Sequence, residues 1–171
     1  MTGVHLYRRH STLTITCSLV VLWAVGCHGD RVGSPEWRRT QEVDIASAIL
    51  ADLAAMPPDQ HDPTDVRRSF CLFVGEDRSG YHDPAPAVVA ALRQANLDVY
   101  PMSQCGKWVV SATGAKAAFL GVVSIQWRND EIVIAEGERL LGILAGNTWR
   151  YTLSRTGSTW QVDTVKVDKV F

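Results

Sequence analysis

Two loops in the middle of the chain place histidine next to aspartate, the residue types that bind divalent metal ions. One loop contains His61-Asp62 and the other contains His82-Asp83. An apolar stretch at residues 68–74 separates them and reads as a strand, so the loops leave it at opposite ends, more than about 20 Å apart. Loops rich in Asp, Pro and Gly are also the ordinary composition of surface turns. We therefore predict no metal site and no cofactor.

The same region holds the residue types of a nucleophilic triad, Ser79, His82 and Asp83. These residues are too close in sequence to count as evidence for a triad, and no Gly-x-Ser-x-Gly turn is present. Residues 75–80 also fail as a phosphate loop, because they lack the Gly-Lys-Ser/Thr ending and contain two acidic residues. We predict no catalytic residue, and an enzyme is the least favoured function.

Cys27 is the cysteine with the clearest chemical context. An uncharged stretch, residues 11–26, follows the basic pair Arg8-Arg9 and ends in Ala-Val-Gly immediately before this cysteine. The pattern resembles the lipobox of bacterial lipoproteins, in which small residues precede a cysteine that receives lipid. Ala24 departs from it, because the family usually has Leu at this position.

The resemblance implies that residues 1–26 are a cleaved signal peptide and that acyl chains on Cys27 anchor the protein to a bacterial membrane. The domain then faces the periplasm or the exterior. An uncleaved anchor and an ordinary cleaved signal remain alternatives, although the apolar run is short for a span of roughly 20 residues. Residues 27–41 have mixed charge and no apolar period, and we expect them to tether a single domain at residues 42–171.

Export also bears on Cys71 and Cys105, the other two cysteines that follow the signal. An even pair in an oxidising compartment predicts a disulfide bond. It would close an interval of 34 residues, and loop-closure entropy then gives a stabilisation of about 3–4 kcal/mol. A reactive thiol and two unpaired buried thiols are the alternatives. The first lacks a Cys-x-x-Cys motif and a nearby activating histidine.

Apolar periodicity gives the element order. Ile45, Ile49 and Leu53 recur at helical spacing and predict a helix over residues 43–56. A strand, a helix and a second strand follow, at residues 68–74, 84–97 and 98–102. Alternating patterns then predict a four-strand meander at residues 119–128, 131–135, 149–153 and 160–167, with residues 137–146 as a connection. This order predicts an α+β domain in which two helices pack on a mostly antiparallel sheet.

The late strands are rich in aromatic residues. Trp149, Tyr151 and Trp160 alternate with or adjoin aliphatic residues, which predicts that they pack in the core between sheet and helices. The alternative is that these three rings form a platform on which a sugar or peptide stacks.

The closing hairpin, from Tyr151 to Val162, resembles the last hairpin of nuclear-transport-factor-like and cystatin-like domains. That resemblance implies a curved sheet wrapped around the helices, which can enclose a small apolar pocket. It implies no activity, because such folds host enzymes, carriers and interaction modules alike.

The net charge of the part that follows residue 26 indicates which classes of partner are disfavoured. Removal of residues 1–26 takes away two of the 17 basic residues and none of the 18 acidic ones, which leaves a net charge of −3. Such a surface has no bulk attraction for nucleic acid or anionic lipid. The sequence therefore favours a membrane-tethered, non-enzymatic binding module of the cell envelope, whose partner is an envelope protein or a small ligand. A small-molecule pocket protein is the second reading.

Overall fold

A computed structural model describes residues 32–57, 69–75, 80–142 and 145–170 of the 171-residue chain. The predicted signal peptide, the lipobox-like segment and Cys27 lie outside the described residues. The elements, in chain order, are α1 (Pro35–Ala55), β1 (Ser69–Val74), α2 (Pro86–Gln94), β2 (Asp98–Pro101), a 3₁₀ turn (Met102–Gln104), β3 (Ala117–Trp127), β4 (Ile132–Gly142), β5 (Ala145–Thr156) and β6 (Thr159–Val170). Neither helix of the described part is long and apolar enough to cross a membrane.

The six strands form one open sheet in the order β2-β1-β3-β4-β5-β6. Strand β1 runs parallel to both of its neighbours, while β3 to β6 form an antiparallel meander. Both helices and the sheet share one apolar core. The predictions of an α+β fold, two helices, a mostly antiparallel sheet and a C-terminal meander are confirmed.

Helix α1 begins earlier than the sequence pattern predicted. Ser34 caps it, with its Oγ accepting a hydrogen bond from the Trp37 backbone N–H at 3.1 Å, and Pro35 occupies the first turn. Trp37 is buried and packs against Trp127, with ring centroids 5.7 Å apart. Residues 35–41, which the sequence pattern assigned to the tether, are therefore helical. These residues lack an apolar periodicity, and the contact of Trp37 with Trp127 packs this part of the helix instead.

Strand β4 continues through the segment that was predicted as a connection. Gly137 lies inside the strand, where a Cβ atom would come within 2.8 Å of the Tyr151 ring and 2.9 Å of Ile49. Here glycine marks a close approach between the sheet and α1 rather than a turn. The prediction of a connection at residues 137–146 is wrong for this reason.

A β-bulge in β3 changes which side of the strand faces the helices. Leu120 and Val122 belong to the core before the register shift at Val122/Ser124, and Ile125 and Trp127 pack against it afterwards. An extra residue in one strand reverses the alternation in this way. In the first half of β3, the side chains that alternate with Leu120 and Val122 therefore lie on the outer face of the sheet, opposite the helices.

Trp160 ties the last hairpin to α1. Its side chain is 5% exposed, its Nε1–H donates to Gln41 Oε1 at 3.2 Å, and its ring meets Trp127 edge to face at 5.5 Å. Loss of this ring would leave a cavity and an unpaired buried amide.

We predict that Trp160→Ala lowers the free energy of unfolding by about 3–5 kcal/mol. Val167→Ala is the matched control, because Val167 lies on the same strand with 62% of its surface exposed and should change stability little. Chemical denaturation of both variants measures the difference. Equal stability of the two variants would contradict a structural role for Trp160.

Candidate functional site

The disulfide bond predicted from the cysteine count is confirmed. Cys71 on β1 and Cys105 are bonded, with their Cα atoms 6.2 Å apart. Cys71 is fully buried on the outer face of the sheet, where it forms a small second core with Val110 and Ala117. The bond fastens the loop at residues 102–116 to that face.

A tight turn follows Cys105. Cys105 faces Val110, and the Gly106 N–H donates to the Val109 carbonyl at 2.8 Å, which leaves Lys107 and Trp108 as the two residues at the tip. The Trp108 carbonyl accepts a hydrogen bond from the Ala117 N–H at 3.0 Å and joins the turn to β3. Disulfide and hydrogen bonds together define where the Trp108 side chain points.

Trp108 has a backbone conformation that tryptophan rarely adopts. Its φ is +63°, and among the described residues Asn96 is the other non-glycine residue with positive φ. The second tip position of such a turn normally takes Gly or Asn. A bulky residue there costs about 1–2 kcal/mol. The protein thus has a tryptophan where turns of this kind normally have glycine or asparagine.

The Trp108 ring forms one wall of a pocket of about 300 Å³ on the outer face of the sheet. Trp108 meets Phe119 of β3 edge to face, with centroids 5.1 Å apart. The opposite wall is Phe73 of β1 against Tyr81, at 4.2 Å and an interplanar angle of 33°. The Phe73 ring lies over Gly121, where a Cβ atom would overlap it, so glycine is needed at this position. Two aromatic pairs thus face one cavity.

The rest of the lining is apolar apart from one cation. Met102 and Leu140 complete the apolar surface, and the exposed Lys107 stands at the rim. Next to the pocket, Glu138 is 8% exposed and accepts a hydrogen bond from the Tyr81 hydroxyl at 2.7 Å, which orients the Tyr81 ring. The described lining contains no histidine, cysteine or carboxylate. Such a surface suits an apolar group, and the ionisable side chains of the described lining are Lys107 and Tyr81.

The aromatic residues that sequence reasoning singled out lie elsewhere. Trp149, Tyr151 and Trp160 are 9%, 0% and 5% exposed and belong to the main core. The Tyr151 hydroxyl donates to Asp52 Oδ2 at 3.0 Å. Burial, followed by the charge of Asp52, raises the pKa of Tyr151 above its ordinary value, so the phenol stays neutral.

The histidine and aspartate loops are described only in part. His61, Asp62 and Ser79 lie outside the described residues. Asp83 accepts hydrogen bonds from the Ser103 N–H at 2.8 Å and the Ser103 hydroxyl at 2.5 Å, while His82 Nδ1 lies 2.9 Å from the Gly80 carbonyl. No three His, Cys, Asp or Glu side chains of the described ranges are grouped to hold a metal ion.

A second, larger cleft of about 450 Å³ lies between α1, α2 and β3. Arg39, Glu42 and His82 border it together with Ser124 and aliphatic residues, and the Arg39 guanidinium already pairs with Glu36 at 3.1 Å. No residue of its described lining has a strained backbone. The aromatic pocket is therefore the stronger candidate site.

Sequence reasoning did not find this pocket. Phe73 and Tyr81 are separated from Trp108 and Phe119 by more than 25 residues, and the four residues show no motif. One local signal was available, a tryptophan in the short segment Gly106-Lys107-Trp108-Val109 directly after a disulfide cysteine. Comparison with known proteins finds no family model, no curated protein and no solved structure that matches this chain.

We predict that replacing Cys71 and Cys105 together by Ala lowers the free energy of unfolding by about 3–4 kcal/mol, since the bond closes a 34-residue interval in the unfolded chain. Denaturant unfolding of the oxidised protein and the double variant measures this. A reducing agent should destabilise the wild type to a similar extent and leave the double variant unchanged. An unchanged wild-type midpoint after full reduction would contradict the prediction.

Proposed function

We propose that this protein is a non-enzymatic binding module of the bacterial cell envelope that takes up an apolar, ring-sized group in the aromatic pocket. The strained backbone of Trp108 is the observation that carries the proposal. Strain of this kind persists where the surrounding structure enforces it, and it concentrates at binding and catalytic sites. A turn selected for stability alone would carry Gly or Asn at this position.

The form of the pocket supports a binding role. Aromatic side chains give a large contact area and lose little conformational freedom on binding, because each has only two side-chain torsions. Phe73 is 1% exposed and its partner Tyr81 is oriented by Glu138, so this wall is rigid before a ligand arrives. A volume of about 300 Å³ is at the lower end for ligand pockets. It suits a small ligand or a single side chain of an envelope protein.

The envelope location rests on Cys27 and on the disulfide bond. Disulfides form and persist in oxidising compartments, and Cys71–Cys105 is such a bond. In this proposal the signal at residues 1–26 directs export, acyl chains on Cys27 hold the protein on a bacterial membrane, and the domain faces the periplasm or the exterior.

The positions of α1 and the pocket suit such a tether. The start of α1 lies beside the β3–β4 turn, where Arg38 pairs with Asp130 at 2.9 Å. The pocket lies at the other end of this hairpin, where Phe119 pairs with Leu140. The two ends are about 26 Å apart along β3. An anchor ahead of α1 then leaves the pocket open to the aqueous side.

The second candidate, a cone with an internal cavity, gains less support. Register shifts in β3, β4, β5 and β6 favour a curved sheet, since bulges bend and twist strands. However, the helix side of the sheet is occupied by core residues such as Leu120, Ala135 and Leu153, each 0% exposed. A ligand fits better on the outer face.

Trp108→Gly tests the pocket with naphthalene-2-carboxamide, an uncharged aromatic probe. Its affinity, measured by calorimetry on the full chain, should fall at least about tenfold. Stability should change by less than about 1 kcal/mol, because relief of backbone strain offsets the lost ring contacts and the entropy of glycine. Asn96→Gly is the matched control, with φ +61° outside the pocket. Equal probe affinity in both variants, or no binding to the wild type, would overturn the proposal.

Cys27→Ser tests the anchor. We expect the wild type in the membrane fraction with its signal removed, and the variant as an uncut precursor or as released protein, because serine provides no thiol for the thioether to lipid. Fractionation and intact mass measure both properties. Identical mass and partitioning of the two proteins would contradict lipidation at this residue and leave the pocket proposal untouched.

A further inference from the structure

The loop that closes the pocket carries lysine side chains and no carboxylate, although the whole chain has a formal net charge of −1. Residues 99–129 contain no aspartate and no glutamate. Within them, the loop that closes the pocket carries Lys107 and Lys116, both exposed. The charge of this loop is therefore opposite in sign to the formal net charge of the whole chain.

Lys107 has no carboxylate partner among the described residues. The ion pairs of that part involve arginine side chains on α1 and β5. Two carboxylates that contact residues in or beside the lining accept hydrogen bonds from other groups, Asp83 from Ser103 and Glu138 from the Tyr81 hydroxyl. The Lys107 ammonium stands next to Trp108 at the turn tip, and it alone is charged within the described lining.

Resting on the proposed binding function, we infer that the ligand is a small amphiphilic anion, with an aromatic or alicyclic body and a carboxylate. The body lies between the Trp108 and Phe73–Tyr81 walls, and the carboxylate meets Lys107 at the rim. Glu138 favours this orientation, because a second negative charge that entered along the Tyr81 wall would be repelled by it. The apolar end therefore enters first and the acid group stays at the mouth.

Two probes of the same shape and different charge test this, naphthalene-2-carboxylate and naphthalene-2-carboxamide. On the full wild-type chain at low ionic strength, calorimetry should show that the anion binds about fivefold more tightly than the amide, the size expected for an exposed ion pair. Higher salt should reduce the preference. Lys107→Met should abolish this preference, read as the ratio of the anion affinity to the amide affinity in the same variant. Lys116→Met, on the same loop and outside the lining, should retain it.

The outcomes separate the two proposals. Equal affinity of the wild type for anion and amide, or a preference that survives Lys107→Met, overturns the anionic ligand while the aromatic pocket stands. Absence of binding by either probe overturns both. The carboxylate could belong to the C-terminus of a peptide chain or to a free aromatic acid, and N-acetyl-Ala-Ala-Phe and its C-terminal amide distinguish these two sources. A peptide preference for the free acid that exceeds the naphthalene preference assigns the site to chain ends, and a smaller one assigns it to free aromatic acids.

Discussion

The disulfide bond between Cys71 and Cys105 is the constraint on which the outer face of the sheet depends. Cys71 is fully buried on the outer face of the sheet, on strand β1, whose neighbours on both sides are parallel strands. The loop after Cys105 has only a small apolar cluster of its own, around Val110 and Ala117. A covalent bond supplies what this cluster is too small to provide. This bond holds the turn at residues 106–109 in place, and it thereby keeps the Trp108 backbone at its strained positive φ.

The two faces of the sheet are packed differently as a result. The helix face buries the large core and leaves little space, with Trp149, Tyr151 and Trp160 packed inside it. The outer face is covered over only part of its area, and the uncovered part adjoins the pinned loop. The side chains that line the pocket are not members of the main core, so in the proposed function binding and stability depend on different residues.

Sequence patterns predicted the features that depend on local or countable signals. Ile45, Ile49 and Leu53 indicated α1, and the cysteine count indicated the disulfide. The start of α1 and the full length of β4 were missed, because a single contact of Trp37 and the close approach at Gly137 decide them. Both are tertiary effects that periodicity does not contain.

The pocket could not be predicted for a related reason, as its walls come from separate segments and its key φ angle is imposed by the fold. The most direct test of the account is the set of intermolecular nuclear Overhauser effects between bound naphthalene-2-carboxamide and the protein. We predict contacts to the Trp108 indole and to the Phe73 and Tyr81 rings, all lost when the disulfide is reduced. Contacts to the cleft between α1 and α2 instead, or contacts that persist after reduction, would contradict it.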